Sequence, residues 1–185
     1  GGLLTALTCC QLHICCHLEL MVDKYCLNVF DRLDIVGAIE QWNVLQAVLR
    51  RAANSVEACF LAGQTSALAT LLFSAAEIFA GDGAPKGLQA SFWTLSLMFY
   101  VLMAGCSLFQ ASSVTERCSR VPPLLNSMCL EGSPLNVERQ YLVQYIEHSA
   151  AGFYVKGVRL TNFIALKLAY LSAMFSFGCL ARAFG

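Results

Sequence analysis

A run of 29 residues without a formal charge, Gly87 to Thr115, is the feature that most constrains the fold of this chain. A helix crosses a bilayer with about 20 apolar residues, so the run predicts a membrane-spanning helix. Composition agrees, since 57% of the 185 residues are hydrophobic and 13% are charged, against about 45–50% and about 25% in soluble domains. We therefore expect a surface that faces the lipid bilayer. The net charge is zero, which does not favour a nucleic-acid partner.

Three further apolar segments complete an all-α, polytopic transmembrane helical bundle. The four predicted spans lie near residues 1–20, 58–80, 88–114 and 157–181. Connectors 21–57 and 115–156 are predicted to be amphipathic cytoplasmic helices. The stretch "GDGAPKG", Gly81 to Gly87, is typical of the tight turn of a helical hairpin. The sequence begins Gly-Gly-Leu-Leu, without a basic segment and cleavage site, so we interpret residues 1–185 as a single domain from a longer chain.

The two long connectors carry apolar positions at helical spacing. In the first connector one helix face is predicted to hold Ile35, Ile39, Trp42, Leu45 and Leu49. In the second connector one face is predicted to hold Val137, Tyr141, Tyr145 and His148. Ser133 followed by Pro134 predicts the start of this second helix, because Ser is a favoured cap and Pro a favoured first residue.

The placement of basic residues orients the predicted spans. Both long connectors and the start of the last span are rich in them: Lys24, Arg32, Arg50, Arg51, Arg117, Arg120, Arg139, Lys156 and Arg159. The tight turn has only Lys86, and the C-terminus only Arg182. Because cytoplasmic loops carry the excess of Lys and Arg, both long connectors are predicted in the cytoplasm and the C-terminus outside.

A stretch rich in cysteine and histidine, "CCQLHICCHLE", runs from Cys9 to Glu19. His13 and His17 are four residues apart and share a helix face, with cysteines nearby. A structural zinc site usually draws its ligands from two elements, whereas one helix supplies all of these. We interpret the stretch as a membrane helix with polarizable side chains, in which cysteine acts as a small hydrophobic residue. No metal or cofactor is predicted.

Catalysis is not predicted either. The sequence has no H-E-x-x-H, G-x-S-x-G or phosphate-binding glycine loop. Asp23, Asp31 and Asp34 lie in an amphipathic connector beside Arg32, as is typical of a solvated face. We expect a protein that is not an enzyme.

Two ionisable residues, Glu77 and Lys167, lie within otherwise apolar spans. Charged residues at such positions are costly and often functional. Glu77 is near the outer end of its span and can reach water, and the long side chain of Lys167 can extend to the membrane surface. A functional group and a side chain that reaches the interface are both consistent with the pattern.

The last span carries a stripe of small or polar residues spaced 3, 4, 3, 4 and 3 apart. We call it the small-residue stripe: Asn162, Ala165, Ala169, Ser172, Ser176 and Cys179. Spacing of this kind places all six on one side of a helix. Such a stripe permits close helix packing in a membrane or lines a narrow aqueous path. Both interpretations stay open at this point, with packing favoured.

Tyr170 and Phe177 stand in the register of a known signature, Thr-Tyr, five hydrophobic residues, then Gln-Phe. The chain thereby resembles the insect-type seven-transmembrane chemoreceptors, the gustatory and odorant receptors, and the gustatory-receptor-like proteins of other eukaryotes. Ala169 replaces the threonine and Ser176 the glutamine. The preceding stretch, Glu138 to Phe163, also resembles the run into the last helix of that family. The predicted topology matches the final four of its seven helices.

The resemblance implies a chemosensory receptor that is a ligand-gated cation channel of the plasma membrane. It implies a homo- or hetero-tetramer, held together by cytoplasmic helical extensions. The last helix of each subunit would line the pore, and a small-molecule ligand would bind in an outward-facing pocket. The alternative is a non-conducting membrane scaffold or accessory subunit of a larger complex, with the small-residue stripe as a partner interface.

Overall fold

The computed structural model describes residues 2–32, 34–80, 88–127 and 137–184. The described chain is helical apart from one two-stranded hairpin, which confirms the all-α prediction. Its elements in order are helices α1 (Gly2–Arg32), α2 (Ile35–Ala80), α3 (Leu88–Ser127) and α4 (Val137–His148), strands β1 (Tyr154–Val155) and β2 (Val158–Arg159), and helix α5 (Asn162–Phe184).

Three long helices pack against one another to form the body of the molecule, and α1 contacts both α2 and α3. Asp34 starts α2, because its Oδ1 accepts a hydrogen bond from the Gly37 amide at 3.1 Å and its carbonyl oxygen accepts from the Ala38 amide at 3.0 Å. Aspartate is a favoured helix cap for this reason. α2 returns along α1, since Tyr25 of α1 lies beside Ala38 and Trp42 of α2.

The predicted apolar face of the first connector is confirmed. Trp42, Leu45 and Leu49 are buried, and Ile35 and Ile39 pack half-buried against the same core. Tyr25 of α1 lies beside Trp42, with ring centroids 5.1 Å apart, and its hydroxyl donates to the Ala38 carbonyl oxygen at 3.1 Å. The two helices are therefore joined by aromatic packing as well as by aliphatic contacts.

Charged residues gather at one end of the helices. We call residues 19–57, 116–127 and 137–159 the polar end, and residues 2–18, 58–80, 88–115 and 160–184 the apolar end. Apart from Glu77, Lys167 and Arg182, every charged residue of the described chain belongs to the polar end. The long helices run through both ends, so the first connector and the start of the second are continuations of the spans, whereas α4 is a separate helix within the second connector.

Three helices of the described chain are long and apolar enough to cross a membrane. Their candidate spans are Thr5–Asp31, Ile35–Phe73 and Met98–Ser127, and α5 has a shorter apolar stretch, Asn162–Phe175. The last predicted span, near 157–181, starts too early, because Val158 and Arg159 form strand β2 and the helix begins at Asn162.

The residues predicted to share one face of α4 are not its most buried residues. Leu142 and Ile146 are buried, whereas Val137 and Tyr141 are largely exposed. Tyr145, on the predicted face, packs half-buried against the core, and its hydroxyl donates to Asn43 Oδ1 of α2 at 2.6 Å. The predicted cap at Ser133 and Pro134 and the tight turn from Gly81 to Gly87 lie outside the described residues.

Candidate functional site

The start of α5 is held by the β-hairpin that precedes it. Tyr154 pairs with Arg159 and Val155 with Val158, and the two turn residues, Lys156 and Gly157, have φ angles of 50° and 75°. Positive φ at both positions is typical of the type I′ turn, which favours glycine.

Glu57 of α2 ties this hairpin to the body of the molecule. Its Oε1 accepts a hydrogen bond from the Lys156 amide at 2.6 Å and lies 3.6 Å from the Lys156 ammonium. The hairpin is therefore anchored at the border between the two ends of the molecule.

A second anchor joins the hairpin region to α3. The Phe153 amide donates to Thr115 Oγ1 at 2.9 Å, and the Phe153 ring is fully buried, 6.2 Å from the Phe60 ring. Gly152 lies so close to Thr115 that a Cβ atom there would approach its Cγ2 to 2.9 Å. Glycine is needed at this point because the backbone and α3 come into contact.

The small-residue stripe begins against α3. Asn162 Oδ1 accepts a hydrogen bond from the Ser112 hydroxyl at 2.7 Å, and Ala165 is fully buried. Ala169 and Ser172 are half-buried, and the side chain of Ser176 lies outside the described residues. The described part of the stripe thus faces other helices of the same chain.

The opposite side of α5, which we call its outer face, is exposed. It contains Phe163, Lys167, Tyr170, Leu171 and Met174. The Lys167 ammonium lies 4.3 Å from the centroid of the Phe163 ring, a cation–π contact on the helix surface. Phe177 is also exposed, so both family-motif residues lie away from the core. The side chain of Glu77 lies outside the described residues.

A small polar cavity lies between α1, α2 and α3 in the apolar end. Gln64 Nε2 donates to the Ala104 carbonyl oxygen and to Ser107 Oγ, both at 3.0 Å. Ala104 and Ser107 line the cavity together with Gln11, which is 5% exposed, yet Gln11 Nε2 makes no hydrogen bond to any described residue. The cavity volume is about 30 Å³, comparable to that of one water molecule in the liquid.

A set of charged residues, which we call the charged belt, marks the border between the two ends: Glu19, Asp23, Glu57, Arg117 and Lys156. Arg117 Nη1 lies 3.0 Å from both carboxylate oxygens of Asp23, and its Nε lies 3.9 Å from Glu19 Oε2. Gln110 Nε2 completes the contact by donating to Glu19 Oε1 at 2.8 Å. The belt therefore joins α1 to α3 where the apolar surface ends.

Sequence reasoning missed the hairpin, the Ser112–Asn162 hydrogen bond and the polar cavity. The hairpin had a signal, since "YVKGVR" places a Lys-Gly pair between β-branched and aromatic residues. The other two have no local signal, because Ser112 and Asn162 are 50 positions apart and only the packed helices bring them together.

The chain matches no protein-family model, no curated protein and no solved structure. Its function is therefore inferred from its own residues and their geometry.

Proposed function

We propose that the chain forms a polytopic transmembrane bundle with its polar end in the cytoplasm and its C-terminus outside the cell. This orientation is supported by the placement of the basic residues, which concentrate at the polar end and along the charged belt. Cytoplasmic segments of membrane proteins carry the excess of Lys and Arg. Large apolar side chains exposed in the apolar end, such as Leu72, Phe73 and Leu102, suit contact with lipid. The plasma membrane is the location implied by the receptor function proposed next.

We propose that this bundle is part of a chemosensory receptor and acts as a tetrameric, ligand-gated cation channel. The observation that carries the proposal is the arrangement of α5, with one side packed on α3 and its outer face free along most of its length. A terminal helix with a free face suits the centre of an assembly. The motif positions Tyr170 and Phe177 lie exposed on this helix, where residues of a subunit interface or gate belong.

The polar end suits contact between subunits. Exposed apolar side chains in water mark interaction surfaces, and the polar end exposes Leu27, Phe30, Val44, Leu124 and Val137. In the proposed assembly, contacts between these surfaces hold four copies together, either identical or mixed with a related chain.

In the proposed receptor the ligand binds in an outward-facing pocket among the helices. The polar cavity between α1, α2 and α3 is not that pocket, because its volume is about 30 Å³, against about 300–1,000 Å³ for sites of drug-sized ligands. Ligand binding would favour an open arrangement of α5 by differential affinity for the two states. The apolar outer face of α5 would close the pore by excluding water, as hydrophobic constrictions do in other channels.

Lys167 belongs to the outer face, so it must lie beyond the narrow part of the pore for cations to pass. Cα–Cβ bonds tilt toward the helix N-terminus, which in α5 is the cytoplasmic side of the proposed bundle. The ammonium therefore extends toward the charged belt, about 8 Å from the first residue of the helix. In the proposed channel Lys167 lies at the inner membrane surface and does not repel cations in the pore.

The test is a current measurement combined with a measurement of assembly size. Cells that express the chain are expected to show cation current, and the purified chain is expected to be a tetramer. Leu171→Ala, on the outer face, should raise the current at rest because it weakens the constriction. If the chain carries no current and is purified in a complex with a different protein, the channel proposal is overturned. The scaffold proposal then remains.

The scaffold remains the second candidate because one observation favours it. The polar members of the stripe that the structure describes pack inward, and the outer face of α5 is mostly apolar. A face of this kind also suits binding to the helix of a partner subunit. The scaffold predicts that Leu171→Ala weakens the capture of that partner and changes no current.

A further inference from the structure

His13 and His17 form a pair on the exposed side of α1. Both side chains are exposed, they lie one helical turn apart, and their Nε2 atoms are 3.0 Å from each other. The two rings are nearly perpendicular, at 83°, with centroids 4.4 Å apart. At this distance one Nε2 donates a hydrogen bond to the other, and a metal ion bound to both nitrogens would replace the shared proton.

The 3.0 Å separation is the distance expected of two nitrogen ligands on one metal ion. Zinc–nitrogen bonds are about 2.0–2.1 Å long. For nitrogen–metal–nitrogen angles between about 90° and 110°, this bond length places the two nitrogens about 2.9 to 3.4 Å apart. The pair therefore has the spacing of a bidentate site without any change in the backbone.

We propose that His13 and His17 bind a divalent transition-metal ion, with Zn²⁺ as the reference ion, through their two Nε2 atoms. Imidazole ligands favour Zn²⁺, Cu²⁺ and Ni²⁺ over Ca²⁺ and Mg²⁺, which prefer oxygen. Water supplies the remaining ligands, because the described residues hold no group of three or more His, Cys, Asp or Glu side chains placed to bind a metal. A site with two protein ligands and open positions binds reversibly and does not serve to hold the fold.

The pair lies in the apolar end, within about 9 Å along the helix of Glu19 at its border, so metal reaches it from that border. His17 is two residues from Glu19, the first charged residue of α1, so it lies about 3 Å along the helix from the charged belt. Glu19 and Asp23 are occupied by Gln110 and Arg117 and do not compete for the ion. Metal bound here would link two successive turns of α1 at the border of the apolar end.

Three exposed cysteines share the helix surface with the histidines, and they define the competing site. Positions 9, 10, 13, 16 and 17 fall within about 120° around the helix axis, and Cys9, Cys10 and Cys16 are exposed. Thiolates also bind Zn²⁺, so the experiment must separate nitrogen from sulfur ligands.

The test is a Zn²⁺ titration of the full chain in detergent micelles, with a thiol-free reductant and without a polyhistidine tag. The chain and its His148→Gln variant are expected to bind one Zn²⁺ each, because His148 lies on α4, away from the pair. His13→Gln and His17→Gln are each expected to weaken binding at least about tenfold, since loss of a group that only hydrogen-bonds to a metal ligand already costs that much.

Co²⁺ spectra assign the ligand type. We expect a Co²⁺ spectrum without a thiolate charge-transfer band. We also expect Zn²⁺ binding to survive when Cys9→Ser, Cys10→Ser and Cys16→Ser are combined in one variant. No saturable Zn²⁺ binding by the chain, equal binding by His13→Gln, or a thiolate band that the serine variant removes would each overturn it. The proposal does not depend on channel function, and a non-conducting chain that binds Zn²⁺ through these histidines still supports it.

Discussion

Ser112 and Asn162 form the hydrogen bond that fixes the first turn of α5 on α3. Ser112 is fully buried, so its removal leaves Asn162 Oδ1 without this donor. Ser112→Ala is expected to lower the free energy of unfolding by about 0.6 kcal/mol and by at most about 1.7 kcal/mol, the range for side-chain hydrogen bonds between membrane helices.

A double-mutant cycle with Asn162→Ala measures this coupling in detergent unfolding. Ser119→Ala is the matched control, because Ser119 is exposed and its hydroxyl donates only to the Glu116 carbonyl oxygen of its own helix. If Ser112→Ala and Ser119→Ala lower the free energy of unfolding equally, the hydrogen bond between the helices contributes nothing to stability.

Trp42 is the largest fully buried side chain and connects three elements. Its ring packs on Tyr25 of α1, and its Nε1 donates to Ser149 Oγ, just after α4, at 2.9 Å. Trp42→Ala is expected to destabilise the chain by about 3–5 kcal/mol, the usual cost of removing a buried tryptophan. Gln41→Ala, at an exposed neighbouring position, should have little effect in the same thermal or chemical unfolding experiment.

Buried faces were predictable from sequence where a single apolar stripe exists, and not where two compete. Trp42, Leu45 and Leu49 have no rival stripe and were predicted correctly. In α4 the aromatic pair Tyr141 and Tyr145 competes with Leu142 and Ile146. Both sets have helical spacing, and the packed structure buries Leu142 and Ile146 fully while Tyr145 is half-buried beside Asn43.

The β-hairpin is an element that depends on its turn. Gly157 has a φ of 75° and no atoms near the position of a Cβ, so a substitution there is strained by its backbone conformation alone. Gly157→Ala is expected to cost about 1–2 kcal/mol, the penalty for an L-residue in the left-handed region. Gly105→Ala, in α3 and also in open space, should be neutral or stabilising.

The stability of both glycine variants is measured by thermal or chemical unfolding. For Gly157→Ala, amide hydrogen exchange is measured as well. Loss of the turn should also loosen α5, seen as faster amide hydrogen exchange near Asn162. If Gly157→Ala and Gly105→Ala behave alike, the turn does not control the start of α5.

At the scale of elements, the sequence predicted the existence of the helices better than their limits. Charged residues such as Glu19 and Glu57 indicated the ends of spans, yet α1 and α2 continue past them. The reason is that the charges pair with neighbouring helices in the charged belt and do not interrupt the backbone hydrogen bonds. Hydropathy locates the membrane border and does not locate a helix end.

At the scale of the whole molecule, the proposed topology is open to a direct test. The sequence contains no Asn-x-Ser/Thr acceptor for N-glycosylation. A flexible loop with an Asn-Gly-Thr acceptor inserted after Gly83 is expected to be glycosylated in cells, because that turn is predicted on the outer side. The same loop inserted after Gly132 is expected to stay unmodified, and glycosylation of both or of the second alone would contradict the topology.

The separation into a polar and an apolar end was predictable from the order of charges along the chain. The contacts that join the helices at the border between the two ends were not predictable. Arg117 contacts Asp23 across 94 positions, and Lys156 contacts Glu57 across 99. Such pairs follow from helix packing, and one sequence without its fold does not identify them.

The uninterrupted length of α2 gives the molecule a mechanical property. Its 46 residues extend about 69 Å, and Glu57 lies near the middle, where the hairpin is attached. The polar half of α2 is also packed on α1 through Trp42 and Tyr25, so the helix acts as a rigid strut. The same unbroken backbone runs from the packed polar end into the apolar end.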